Sequence, residues 1–323
     1  MPDRLAQVGK WAWVALVVTA AGWLIAGSWQ EISEMLRRIS LPMLAAGILL
    51  TVLAKAGLAE NARIAALRNG IAIDLVTCAR LYNLSQLGKY LPGSIWQFVG
   101  RAAAYRKLGA GYGAIRDALL VESLWIVAGA SATGVLLAGP RIPGLVVSSL
   151  DPMLRWWLGG LFAACVLLVA GLALWKRAVV ARYAQLAVPT ARVLLVQGFI
   201  WSMLGLAFWV LARACGLEVA PLFATGLFAA AYAVGFLVPF APAGLGVRDA
   251  ILTLGLLPYV PPGEALVVTV LARVVYLVVD VGLVLVQEPW FARVRYSGAA
   301  RPATSSPNTP PGPPDPDNRS RRA

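Results

Sequence analysis

Long apolar runs are the main pattern along this chain. Several windows of about 17 to 25 residues hold few or no charged side chains, which is the length a helix needs to cross the hydrocarbon core of a membrane. The pattern therefore predicts an all-α polytopic membrane protein with about six full transmembrane helices. These spans are predicted at about residues 11–28, 41–59, 115–138, 156–175, 193–214 and 264–287.

Two further apolar regions, at about 71–98 and 222–257, are interrupted by proline and glycine. Proline removes a backbone N–H and disrupts a helix, and glycine permits backbone shapes that other residues resist. Such breaks at matching places in two halves of a membrane protein point to a transport site. The residues at the breaks are Pro92 and Gly93 in the first region, and Pro239, Pro242, Gly244 and Gly246 in the second.

Basic residues determine the predicted topology. If each interrupted region enters and leaves on one side as a re-entrant pair, the arginine-rich loops and both termini lie in the cytoplasm. Two full crossings would instead place the basic loop 176–192 outside. We therefore predict two re-entrant regions in an inverted repeat, with halves at about 10–138 and 156–290. The membrane domain would comprise residues 1–297, and the proline-rich segment 298–323 would form a disordered cytoplasmic tail.

Composition narrows the functional classes. Hydrophobic residues make up 59% of the chain, and the net charge is +13. The basic residues flank apolar segments, so we expect contacts with anionic lipid headgroups and none with nucleic acid. Histidine is absent, and the three cysteines lie in or at the edge of apolar segments. We therefore predict no metal site and no cofactor.

Charged residues near the breaks and inside the spans are the candidate functional groups. Helices starting near Ile95 and Gly246 would direct their positive ends toward the middle of the membrane and, with nearby cations, could hold a phosphate. Arg273 lies in mid-span, where it needs a phosphate or a carboxylate such as Glu122 or Asp280. Lys55 is expected to extend to the cytoplasmic interface. Candidate substrate-binding residues are Lys89, Arg101, Arg248, Arg273 and Tyr276; candidate charge partners are Glu122, Asp249 and Asp280.

These motifs resemble the lysylphosphatidylglycerol synthase transmembrane-region family, which includes the flippase half of multiple peptide resistance factor. The resemblance covers about residues 10–290 and rests on the segments Leu87–Trp96, Gly100–Arg101, Glu122, Pro239–Asp249 and Leu271–Tyr276. The chain departs from the usual pattern at Ala243, Asp249 and Ser123, where the family commonly has glycine, glutamate and arginine. The resemblance implies a multi-pass protein of a bacterial-type plasma membrane.

The resemblance and the intramembrane charges together predict a lipid translocase. Its substrate would be an anionic phospholipid or a polyprenyl-phosphate-linked lipid. The aminoacyl-transferring domain of two-part family members is absent, so lysyl transfer is not implied. The alternative is a membrane component or partner of a separately encoded lipid-linked glycosyltransferase or lipid synthase. The sequence leaves open whether the protein forms a homo-oligomer. An enzymatic function is disfavoured because no loop is long enough for a nucleotide-binding domain.

Overall fold

The structure is a computed structural model that describes residues 39–90, 95–139, 176–238 and 246–298, together with positions 33, 34 and 37. Nine α-helices and one 3₁₀ turn form these ranges. In chain order they are α1 Leu41–Arg68, α2 Leu75–Gln86, the 3₁₀ turn Leu87–Tyr90, α3 Trp96–Lys107, α4 Tyr112–Ala138, α5 Arg177–Leu186, α6 Ala191–Ala214, α7 Pro221–Leu237, α8 Val247–Leu256 and α9 Pro262–Gly298.

Four of the described helices are long and apolar enough to cross a membrane: Leu41–Arg68, Tyr112–Ala138, Ala191–Ala214 and the Pro262–Gln287 part of α9. They correspond to four of the six predicted spans. The other two, 11–28 and 156–175, and residues 299–323 of the predicted tail lie outside the described residues, whereas Gly298 is the last residue of α9. Large apolar side chains such as Leu49, Leu136 and Leu195 are well exposed on these helices, as expected of surfaces that face lipid.

The first described span is longer than the apolar pattern predicts. The predicted boundary at 59 is wrong because α1 continues to Arg68. The charges beyond 59 find partners: Arg63 pairs with Glu60, and Arg68 donates to the carbonyl of Val188. Gly70, with a φ of +78°, then ends the helix. This extension places Lys55 in the middle of α1, where it is 2% exposed, rather than near the interface.

The regions around the breaks also fold as separate helices. The helices predicted near Ile95 and Gly246 begin at Trp96 and Val247. Beyond the first break, α3 extends to Lys107, past the predicted boundary at 98. The break residues Pro92, Gly93, Pro239, Pro242 and Gly244 lie outside the described residues.

Small residues allow close packing between the long helices. α1 lies against α6, with Gly47 facing Leu211 and Gly57 facing Ile200. α4 lies against α7 through two glycines: a Cβ at Gly134 would be 2.9 Å from the backbone nitrogen of Ala230, and one at Gly226 would be 2.6 Å from that of Ala138. Close backbone approach of this kind is the usual basis of helix association in membranes.

A polar network joins α1 and α6 at their buried faces. The side-chain amide of Gln197 on α6 donates 2.8 Å to Asn61 on α1, and Trp201 donates 3.1 Å to Gln197. Asn61, Gln197 and Trp201 are all buried. Because each of these side chains has a partner, the network holds the helices in one register without leaving an unpaired group in an apolar environment.

We predict that Gly226→Ala destabilises the protein by about 1–3 kcal/mol, because the added methyl group has no space against the α4 backbone. The measurement is the thermal midpoint of unfolding of the detergent-solubilised protein. Gly198→Ala, in α6, is the matched control, since nothing lies within 4 Å of the position that its Cβ would take. Equal midpoints for the two variants would contradict the close α4–α7 contact.

Candidate functional site

Four cationic and two acidic side chains meet along one face of α9. Arg273, Tyr276 and Asp280 follow one another at intervals of three and four residues, so they share this face. We call these side chains and their neighbours the central cluster. Its members are Lys55 of α1, Lys89 and Tyr90 of the 3₁₀ turn, Arg248 and Asp249 of α8, and Arg273, Tyr276 and Asp280 of α9.

Asp280 is the fully buried carboxylate of the cluster. The Nζ atom of Lys55 lies 2.5 Å from its Oδ1, and the Nζ atom of Lys89 lies 2.6 Å from its Oδ2. The hydroxyl of Tyr90 donates a hydrogen bond of 2.7 Å to Oδ2. One carboxylate is therefore shared by two ammonium groups, and it compensates only one of their two positive charges.

A second carboxylate, Asp249, holds Arg273. The Nε of Arg273 donates 3.1 Å to Oδ1 of Asp249, and Nη2 donates 2.7 Å to Oδ2. Oδ2 also accepts a 3.0 Å hydrogen bond from the backbone N–H of Gly246, whose φ of +86° favours glycine. Asp249 thus ties the first turn of α8 both to the break before it and to α9.

Arg248 is held by aromatic rings. Its guanidinium carbon lies 4.5 Å from the ring centroid of Phe228, 5.1 Å from that of Tyr276 and 5.7 Å from that of Tyr232. Such contacts stabilise a cation through the negative face of the ring. Among the ion pairs of the described residues, none involves Arg248. Its charge therefore has no carboxylate to compensate it in this part of the chain.

A small cavity of about 30 Å³ lies inside the cluster. The cavity is lined by Lys89, Tyr90, Arg248, Asp249, Leu252, Thr269, Arg273 and Tyr276. Its lining combines basic groups from both halves of the sequence with two phenols, an arrangement suited to a small anion.

Arg101 lies in a different place from the other predicted binding residues. It is 2% exposed, and its Nη1 is 2.5 Å from both carboxylate oxygens of Glu122 on α4. The ring of Tyr82 lies 4.6 Å from its guanidinium. Arg101 does not line the cavity, and Glu122 neutralises its charge. The pair joins the helix after the first break to the following span.

Two features of the cluster differ from what the sequence predicts. Lys55, expected at the interface, is buried against Asp280. Arg273 was expected to meet a lipid phosphate or a carboxylate, with Glu122 or Asp280 as the structural partner, and the carboxylate that it contacts is Asp249. The signal that could have revealed Lys55 is the alanine-rich continuation of α1 beyond residue 59, which places this lysine in mid-helix. No signal identifies the partner of Arg273, because tertiary packing brings α8 against α9.

The comparison with protein families gives a match over most of the chain. The sequence model described as "Lysylphosphatidylglycerol synthase TM region" matches residues 11–283. No curated protein sequence matches the chain. The matched range contains every residue of the central cluster and the Arg101–Glu122 pair.

We predict that Glu122→Gln destabilises the protein by about 3–5 kcal/mol, because it leaves the Arg101 guanidinium buried without its anion. The double variant Arg101→Gln/Glu122→Gln removes both charges and should recover part of this loss. Thermal unfolding in detergent measures both effects. Lys107→Gln, which removes an exposed charge at the end of α3, is the control and should leave the midpoint unchanged.

A double variant no more stable than Glu122→Gln alone would contradict this account. In that case the loss would come from altered packing of the side chain and not from an unpaired charge.

Proposed function

The chain belongs to the lysylphosphatidylglycerol synthase TM-region family, and we propose that it is a lipid translocase that moves a lipid with an anionic phosphate headgroup between membrane leaflets. The central cluster would bind the headgroup, while the acyl or prenyl chains stay in the surrounding apolar phase. The protein would act in a bacterial-type plasma membrane, with both termini in the cytoplasm. Membership of this membrane-domain family, which is associated with lipid-related functions, supports the proposal.

The excess of positive charge in the central cluster carries the proposal. Four basic side chains face only two carboxylates there. Uncompensated charge inside an apolar environment is costly, so such groups usually mark a binding site or a transport pathway. An entering phosphate would complete the charge balance and accept hydrogen bonds from arginine and lysine, which are its common protein partners.

The lengths of the helices beside the breaks support access from both sides. At 1.5 Å per residue, the 12 residues of α2 or α3 extend about 18 Å, and the 10 residues of α8 about 15 Å, short of the roughly 30 Å hydrocarbon core. We propose that each interrupted region is re-entrant and that the halves form an inverted repeat. In such folds, one site opens alternately to the two sides.

Similar ion pairs in the two halves also support the repeat. In the first half, Arg101 of the helix after the break pairs with Glu122 of the next span. In the second half, Asp249 of the helix after the break pairs with Arg273 of the next span. Each pair would let the short helix after the break and the next span move as one body when the site opens to the other side of the membrane.

The carboxylates would act as internal counter-ions when no lipid is bound. Asp280 holds Lys89 beside the cavity, and Asp249 holds Arg273. A phosphate bound at the cavity would take over part of the hydrogen bonding that the carboxylates now provide.

We predict that Arg248→Gln slows translocation at least about tenfold. A hydrogen bond to a charged group contributes about 1.5–3 kcal/mol, and 1.4 kcal/mol corresponds to a factor of ten. Arg248 is preferable to Arg273 as a target, because its removal leaves no carboxylate without a partner. The measurement is leaflet-resolved movement of labelled phosphatidylglycerol and a short polyprenyl phosphate, with purified protein in liposomes.

Lys107→Gln is the control for loss of one positive charge and should translocate at the native rate. Native rates from a well-folded Arg248→Gln protein would remove Arg248 from the site. If the native protein moves neither lipid, the translocase proposal fails, and the alternative role as partner of a separately encoded lipid-modifying enzyme is favoured.

A further inference from the structure

We propose that the headgroup bound by the central cluster is a phosphomonoester with two negative charges, in preference to a phosphodiester with one. This inference rests on the translocase function proposed above and adds the chemical class of the substrate. It follows from the number of uncompensated charges, from where they lie, and from one buried hydroxyl that has no acceptor.

The charge of the cluster is +2 when its lysines are protonated. Asp249 compensates Arg273, and Asp280 compensates one of the two lysines that share it. The other lysine and Arg248 remain without an acidic partner among the described residues. A monoanion would leave one positive charge uncompensated, whereas a dianion would bring the cluster to neutrality. Since an uncompensated charge in largely apolar surroundings is unfavourable, the dianion is the better match.

One ligand can reach both Arg248 and one of the two lysines that share Asp280. Lys89 and Arg248 line the same small cavity. Arg248 is held by the faces of aromatic rings, so its N–H groups need not leave a carboxylate to bind a ligand. A phosphomonoester has three terminal oxygens that share two charges, and it can therefore bridge an ammonium and a guanidinium at once.

Tyr276 provides an independent indication of an absent ligand. Its hydroxyl is buried, and it donates to no acceptor among the described residues. The residue is 8% exposed and lines the cavity together with Arg248 and Lys89. A buried hydroxyl without an acceptor is uncommon and unfavourable. A phosphate oxygen would accept this hydrogen bond, in the way that the Asp280 carboxylate accepts one from Tyr90.

The first experiment compares headgroups in the liposome assay at pH 7. The second pKa of a phosphomonoester is about 6, so phosphatidic acid and polyprenyl monophosphate are then largely dianionic, while phosphatidylglycerol is monoanionic. We expect the native protein to move the two phosphomonoesters at least about tenfold faster than phosphatidylglycerol, which corresponds to about 1.4 kcal/mol. Equal rates, or faster movement of phosphatidylglycerol, would overturn the inference and leave the translocase proposal standing.

Variants that change the charge of the cluster test the cause of the preference. Arg248→Gln lowers the charge to +1 and should bring the phosphomonoester preference to near parity with phosphatidylglycerol. Arg248→Lys keeps the charge and should keep the preference, at a lower rate. Lys107→Gln should behave as the native protein. A preference that is unchanged in Arg248→Gln would show that charge matching at this cluster does not set it.

A binding measurement separates the headgroup class from translocation. In detergent at pH 7, lysophosphatidic acid should bind the native protein at least about tenfold more tightly than lysophosphatidylglycerol. This result without lipid movement in liposomes would support the headgroup class and overturn the translocase function. Equal affinities would overturn the headgroup class. Inorganic phosphate that competes as effectively as lysophosphatidic acid would assign the site to free phosphate and overturn the lipid proposal.

Discussion

The constraint that a charge in an apolar interior must have a partner shapes the described part of this protein. Asp280 shows it most clearly, because its side chain has no contact with solvent. Its partners come from α1 and from the 3₁₀ turn before the first break. One of them, Tyr90, is 190 residues away from Asp280 along the chain. The Asp280 carboxylate thus brings the end of one interrupted region against the last span.

The Arg101–Glu122 and Asp249–Arg273 pairs apply the same constraint to the helices that follow the breaks. A helix of only 10 or 12 residues, such as α8 or α3, buries little surface and makes few contacts that fix its position. Here each such helix is held to the next span by an arginine–carboxylate pair. The basic partner is on the short helix in the first half and on the span in the second. The two contacts between a short helix and a span therefore have opposite arrangements of charge. A comparison of residue types between the two halves of the sequence would not reveal that these contacts are alike.

The four described spans and the two helix starts after the breaks could be predicted from the sequence because apolar length, proline and glycine are local signals. Lys89, Arg248, Arg273 and Tyr276 could also be identified as candidates, since a charge or phenol near a break in an apolar run is unusual. The partners of these residues could not be predicted. Lys55 and Asp280 are far apart in the sequence, and only the tertiary fold makes them neighbours. The partner of Arg101 could be named only as one of several possible charge partners: its position near the break predicts a binding role, and the structure pairs it with Glu122.

The cluster holds its two arginines in different ways. Arg273 makes hydrogen bonds to both oxygens of Asp249, so a ligand would have to compete with a carboxylate for the same N–H groups. Arg248 lies over the rings of Phe228 and Tyr276, which stabilise its charge, and it forms no ion pair among the described residues. Aromatic contacts can keep a guanidinium in an apolar site without neutralising its charge. Within the cluster, Arg273 therefore fixes α8 against α9, whereas the charge of Arg248 is not compensated by a carboxylate in this part of the chain.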